Sequence, residues 1–68
     1  MLELINKIES EEKELSFKIS NLEKFIKSDK IKRLDKESYE LLRTQLFFMR
    51  EYDETLKLRL KHIKYING

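Results

Sequence analysis

The sequence predicts an all-α fold: an antiparallel two-helix hairpin, with room for an extra helical turn in the connection, that assembles into a homo-oligomeric helical bundle. Three observations predict it. The chain of 68 residues has no proline, no cysteine and one glycine. This composition excludes disulfide scaffolds and glycine-rich phosphate loops, and it argues against sheets joined by glycine and proline turns. Apolar residues recur with helical period in two segments, and alternation with period two is nowhere sustained. The second segment also carries more apolar surface than one neighbouring helix can cover.

The first helix is expected over residues 2–27. Its apolar residues recur at intervals of three, four and seven, the spacing of one helix face. Glu11 and Glu12 interrupt this face. At about 1.5 Å per residue the helix is roughly 39 Å long. The residues of the face are Leu4, Ile5, Ile8, Leu15, Ile19, Leu22 and Ile26.

The connection is expected over residues 28–35. Asp35 is a candidate N-cap, because its carboxylate can accept a hydrogen bond from a backbone amide in the first turn of the next helix. Leu34 before the cap and Tyr39 after it are placed for a hydrophobic staple. Ile31 and Leu34 indicate that the connection packs against the helices.

The second helix is expected over residues 36–66, with Asp53 interrupting its apolar face. A connection this short between long helices favours an antiparallel pair. Charge agrees with that arrangement, since residues 3–14 hold five acids and two lysines whereas 57–64 hold four cations and no acid. The residues of the face are Tyr39, Leu42, Leu46, Met49, Leu56, Leu60 and Ile63.

We expect residues 1–68 to form a single helical-hairpin domain that associates with itself. A chain near 60 residues buries only about 60% of the surface that its unfolded form exposes, and here no disulfide or metal compensates. A homo-oligomer, a dimer or larger, would cover the remaining apolar side chains, and a four-helix bundle is the smallest solution. The predicted interface residues are Phe17, Leu41, Phe47, Phe48, Leu58 and Tyr65.

Catalytic chemistry has little support in the sequence. No cysteine is present, and His62 is the one histidine available as a base or metal ligand, so we expect no catalytic residue, no metal site, no cofactor and no enzyme. The formal net charge of +2 is weak for a nucleic-acid partner. The longest stretch without a charge, residues 44–49, is far too short to span a membrane. We therefore expect no membrane partner and a location in the cytoplasm.

Two heptad lines could form a site along one edge of the apolar face. Gln45, Tyr52 and Arg59 follow one another at intervals of seven on the second helix, and Glu11, Lys18 and Phe25 do so on the first. One interpretation is a structural network between helices. The other is a ligand slot between protomers, in which Lys18 and Arg59 meet phosphate and Phe25 or Tyr52 stacks on a base, with Gln45 beside them.

A third heptad line is basic throughout. It consists of Arg43, Arg50, Lys57 and Lys64, and residues 24–36 of the connection region add a local net charge of +4. One interpretation is a solvated face that keeps an apolar oligomer in solution. The other is an anion-binding surface for nucleic acid or a phosphorylated small molecule.

The combined pattern over residues 10–62 resembles a known family. The residues that carry it are Lys18-Ile19, Leu22, Phe25, Ser28, Leu41-Leu42, Gln45, Met49, Tyr52, Leu56 and Arg59. They are similar to those of the short crAss-phage-related helical-hairpin proteins of tailed bacteriophages and prophages. By architecture alone, the chain also resembles phage anti-defence sponge proteins, homo-oligomers that sequester nucleotide immune signals.

This resemblance implies an accessory phage protein that binds a nucleotide second messenger in the host cytoplasm, of the cyclic oligonucleotide or ADP-ribose type, without catalysis. One alternative is a helical interaction module that binds and inhibits a host protein through Phe47, Leu58 and Tyr65. A third is DNA binding along the line from Arg43 to Lys64, which the low net charge argues against.

Overall fold

In the computed structural model, which describes residues 1–67, two long helices pack side by side. Helix α1 spans Leu2–Lys27 and helix α2 spans Lys36–Asn67, and a short 3-10 helix at Asp29–Arg33 lies between them. The molecule is a rod of 49 × 15 × 14 Å. The described residues form no strand. The predicted helical hairpin, including the extra turn in the connection, is confirmed.

The connection is closed at both ends by local hydrogen bonds. Ser28 leaves the helical conformation with φ −85° and ψ 165°, and its hydroxyl donates to the Phe25 carbonyl at 2.7 Å. At the other end, the Ser38 amide donates to Asp35 Oδ1 at 3.0 Å, which confirms the predicted N-cap. Hydrogen bonds from the Ser38 side chain and amide lower the pKa of Asp35. Ile31 and Leu34 between these caps are half-buried, so the connection packs.

The core is a single row of apolar side chains between the helices. Five apolar residues within residues 1–67 are buried, three from α1 and two from α2: Ile8, Leu15, Ile19, Leu46 and Leu56. Partly buried Leu22, Ile26, Met49, Leu60 and Ile63 extend the row along the rod. Because two helices meet along one line only, the row is one side chain wide, and most of each helix surface remains outside it.

A large apolar surface consequently stays exposed. The hairpin exposes 5732 Å², roughly 1,100 Å² more than the approximately 4,600 Å² expected for a folded monomer of its mass. The six residues predicted for the oligomer interface all contribute, with exposed fractions between 57% for Phe47 and 83% for Tyr65. Within residues 1–67, neither helix combines the length and apolar character needed to cross a bilayer.

Replacing Leu56 with alanine should destabilise the hairpin strongly. Its side chain is fully buried, so truncation removes apolar contacts and leaves a cavity, a loss of about 2–5 kcal/mol. Urea denaturation followed by circular dichroism, at matched protein concentration, measures the change. The matched control is Leu2→Ala, because Leu2 is 71% exposed. Equal midpoints for the two variants would contradict this description of the core.

Candidate functional site

Polar side chains line the core row along two opposite edges of the rod. The first, which we call the Tyr52 edge, carries Glu11, Tyr52 and Arg59 together with the predicted Lys18, Phe25 and Gln45. The second, the Arg50 edge, carries Glu9 and Glu23 on α1 and Arg43, Arg50, Lys57 and Lys64 on α2. Both edges follow from the heptad spacing, since residues seven apart return to nearly the same side of a helix.

On the Tyr52 edge, the two helices are joined by a hydrogen bond from the Tyr52 hydroxyl to the Glu11 carboxylate. Because deprotonation would destroy this bond, it raises the pKa of Tyr52, while nearby Arg59 opposes the shift. Arg59 and Glu11 also line a groove of about 470 Å³ with Lys7 and Glu14. The charges of this groove balance, with two cations and two carboxylates.

The remaining predicted residues of this edge are placed less closely together. Gln45 Nε2 approaches Met49 Sδ on its own helix at 3.9 Å. Phe25 is half-buried, and Lys18 is exposed. The structure therefore brings Tyr52 and Arg59 together with Glu11. Among the described residues, neither Lys18 nor Arg59 forms an ion pair.

On the Arg50 edge, most of the predicted cations already have carboxylate partners. Arg50 pairs with Glu23 and Lys64 pairs with Glu9, each at 3.2 Å across the helices. Glu9 and Glu23 are fourteen residues apart, and so are Arg50 and Lys64. The two ion pairs therefore lie two heptads apart along the same edge of the rod. Such exposed pairs contribute about 0–1 kcal/mol each. Their main effect here is to neutralise the charges of Arg50 and Lys64.

The other two basic residues of the line make different contacts. By the register of these two ion pairs, the position of α1 that corresponds to Lys57 is that of Ser16, which carries no charge. Lys57 instead contacts Asp53 at 3.1 Å on its own helix, and this hydrogen bond raises the pKa of Lys57. Arg43 lies over the ring of Tyr39, with its Cζ 5.9 Å from the centroid.

A second groove lies on the Arg50 edge, beside the connection. This connection-end groove has a volume of about 410 Å³ and combines three cations and two aromatic rings with one acid. The heptad line predicted Arg43 and Arg50, but Lys27 and Tyr39 were missed as site residues. The basic composition of residues 24–36 was the signal for Lys27. The lining residues are Glu23, Ile26, Lys27, Tyr39, Arg43, Leu46, Phe47 and Arg50.

The polar residues that interrupt the two apolar faces, Glu12 on α1 and Asp53 on α2, lie beside each other near the middle of the rod. Asp53 on α2 is only 7% exposed, and its Oδ1 atom has no hydrogen-bond partner. The neighbouring Asp53 carboxylate raises the pKa of Glu12 on α1, because only a protonated Glu12 carboxyl could donate a hydrogen bond to it. A polar layer of Glu12, Asp53 and Lys57 thus interrupts the core.

Comparison with protein families matches the chain to Sequestin over residues 3–62. The chain belongs to the Sequestin family. The family name indicates a sequestering, and therefore a binding, role, and it specifies no ligand. Comparisons with curated proteins and with solved structures find no match. The relation to crAss-phage proteins stays a prediction.

A sequestering role requires a surface that can hold a ligand. Among residues 1–67, no three histidine, aspartate or glutamate side chains are arranged to hold a metal ion. His62 lines a shallow exposed depression of about 270 Å³ with Leu58, Lys61 and Tyr65. Each of the two grooves on the edges brings four charged side chains together with apolar ones.

Replacing Glu12 with glutamine should stabilise the hairpin at neutral pH. Because its pKa is raised in the folded state, Glu12 stabilises the hairpin at low pH, and this stabilisation is lost as the pH rises through the folded-state pKa. A glutamine amide donates to Asp53 Oδ1 at every pH, for a gain on the order of 1 kcal/mol. Thermal denaturation at pH 7 and at about pH 4, where a carboxyl group is largely protonated, measures the effect.

The gain of Glu12→Gln should shrink at the lower pH, because wild-type Glu12 then carries the proton itself. Glu14→Gln removes the same charge from an exposed position and serves as the control. A Glu12→Gln melting temperature below that of the wild type at pH 7 would overturn the hydrogen-bonded arrangement of the polar layer.

Proposed function

We propose that this protein is a homo-oligomeric binding protein that sequesters phosphorylated nucleotide immune signals of bacterial anti-phage defence. The ligands would be cyclic oligonucleotides or cyclic ADP-ribose derivatives, bound without catalysis in the host cytoplasm. Membership of the Sequestin family supports a binding role. The observation that carries the choice of an anionic ligand is that Arg59 lies near Tyr52 on an exposed edge and forms no ion pair within residues 1–67.

The distribution of ion pairs supports this choice of residues. Arg50, Lys57 and Lys64 each contact a carboxylate, whereas Lys18 and Arg59 keep their charges unpaired in the described part of the chain. Arginine presents a planar set of donors that matches phosphate, and an aromatic ring beside it offers a stacking surface for a base. Tyr52 is 44% exposed, so its ring is accessible from solvent.

Self-association is supported by the surface that the hairpin leaves uncovered. Large apolar side chains such as Phe17 and Phe48 are each more than half exposed in the isolated hairpin, and clustered exposed apolar side chains are typical of an interface. The exposed side chains lie on several sides of the rod, with Leu41 and Phe48 adjoining the Tyr52 edge and Phe17 on the outer side of α1. A second copy packed there would place residues of two protomers around Tyr52 and Arg59.

A protein partner is the second candidate function. Phe47, Leu58 and Tyr65 form a separate exposed stripe on α2, with exposed fractions of 57%, 63% and 83%. Such a stripe suits a helical interaction module that inhibits a host protein. DNA binding along the Arg50 edge has less support, because three of the four basic residues in its line already contact carboxylates.

Phe48→Glu should shift the protein toward the monomer. Phe48 is 63% exposed in the isolated hairpin, and a charge within an apolar interface must be desolvated without a partner. Light scattering should give a multiple of the 8.4 kDa chain mass for the wild type and a lower mass for the variant. Phe48→Leu, which keeps an apolar side chain at the same position, is the control. A monomeric wild type at micromolar concentration would refute the oligomer.

Arg59→Gln should weaken binding of the sequestered nucleotide by about 10-fold to 100-fold, the loss expected for a charged hydrogen bond. Calorimetry with cyclic dinucleotides, cyclic trinucleotides and cyclic ADP-ribose isomers identifies the ligand and then measures the variant. Arg33→Gln makes the same change of charge in the connection and should bind as the wild type does. No binding across the whole panel would count against the proposed function.

A further inference from the structure

We infer that the connection-end groove is a second nucleotide site, on the opposite edge from Tyr52, in which a phosphate binds between Lys27 and Arg43 and the base stacks on Phe47. The class of ligand rests on the proposed function. The location rests on the groove itself, whose lining residues come from the last turns of α1 and the first half of α2.

The charge of the two grooves distinguishes them. The groove beside Arg59 has two cations and two carboxylates, so a phosphate there is attracted by the unpaired donors of Arg59 itself and not by an excess of local charge. The connection-end groove has Lys27, Arg43 and Arg50 against Glu23 alone. A site lined by an excess of one charge attracts ligands of the opposite charge, so this groove favours an anion.

Two of its three cations are available for a ligand. Among residues 1–67, neither Lys27 nor Arg43 contacts a carboxylate. Arg43 lies over Tyr39, and this contact holds its guanidinium group at the groove without occupying the donors. Arg50 is held by Glu23 at 3.2 Å. A guanidinium group has five N–H donors, so one ion pair leaves donors of Arg50 for a second phosphate oxygen.

Phe47 supplies the apolar half of the site. Its ring meets Phe48 nearly at right angles, with the centroids 5.4 Å apart, so the ring is held in place while 57% of the side chain remains exposed. Phe47 follows Arg43 by four residues, a rise of about 6 Å on the same side of the helix. A phosphate at Arg43 therefore leaves the base of the same nucleotide within reach of Phe47.

The size of the groove agrees with a small ligand. Its volume of about 410 Å³ lies within the range of roughly 300–1,000 Å³ for small-molecule sites. The inference assigns Phe47 to a ligand rather than to a subunit interface, whereas Leu58 and Tyr65 do not line this groove. Loss of the Phe47 ring should consequently affect binding of the base and leave the mass of the assembly unchanged.

The test is a nuclear magnetic resonance titration of the full chain with ADP at physiological salt. We expect saturable shifts of the Ile26 and Leu46 methyl groups, which line the groove. Arg43→Gln should weaken the binding that these signals report by about 10-fold to 100-fold. Arg33→Gln is the control for loss of one arginine charge and should retain the wild-type titration.

Inorganic pyrophosphate separates the base from the phosphate. Phe47→Leu should weaken ADP binding by about 5-fold or more, the loss of one base stack, and should leave pyrophosphate binding unchanged. Equal losses for the two ligands, or a lower assembly mass in Phe47→Leu with unchanged ADP affinity, would overturn the stacking role.

The outcomes separate this site from the proposed function. ADP shifts confined to the Tyr52 edge, or heats from the nucleotide panel without any shift at Ile26 and Leu46, would overturn the connection-end site and leave the proposed function standing. No heat and no shift with any nucleotide would overturn both. Groove shifts that Arg43→Gln removes and Arg33→Gln keeps would support the site.

Discussion

The structure depends on a single row of apolar side chains between two helices. Leu56 is the one residue of the described chain that is fully buried, and the other core residues lie above and below it along the rod. A row this narrow cannot enclose a cavity, and residues 1–67 include no long loop to build one. A ligand of the hairpin must therefore bind along the edges of the row or on the apolar faces outside it.

Polar residues set how the two helices align along this row. Asp53 is buried at the point where both apolar faces are interrupted, and a shift of one helix turn would place its carboxylate against apolar side chains of α1 instead of beside the polar Glu12. The Glu23–Arg50 and Glu9–Lys64 pairs repeat at fourteen residues, so they favour the same alignment. Each contact is weak in water, but together they make other alignments less favourable.

Much of this fold follows directly from the sequence because helical period, capping chemistry and the absence of turn residues are local properties. Asp35 as the N-cap could be predicted for that reason. The ion pairs could not, because exposed Arg50 and Lys57 each have several carboxylates within reach and spacing alone does not choose between them. Lys27 and Tyr39 line the same groove only because the connection folds back. That proximity depends on tertiary structure, so local sequence patterns do not predict it. The identity of the ligand depends on the shape and charge of the binding surface, which the spacing of apolar residues does not determine.

The capped connection also determines how the chain reaches its native state. Ser28 and Asp35 close both ends of a segment of eight residues, so the first contacts between α1 and α2 require a small loss of loop entropy. Each successive helical turn of α1 then packs on the facing turn of α2 next to a contact that has already formed. Topologies dominated by such local steps fold quickly. Of the two ion pairs between the helices, Glu9–Lys64 is the farther from the connection, so it would form last and open first.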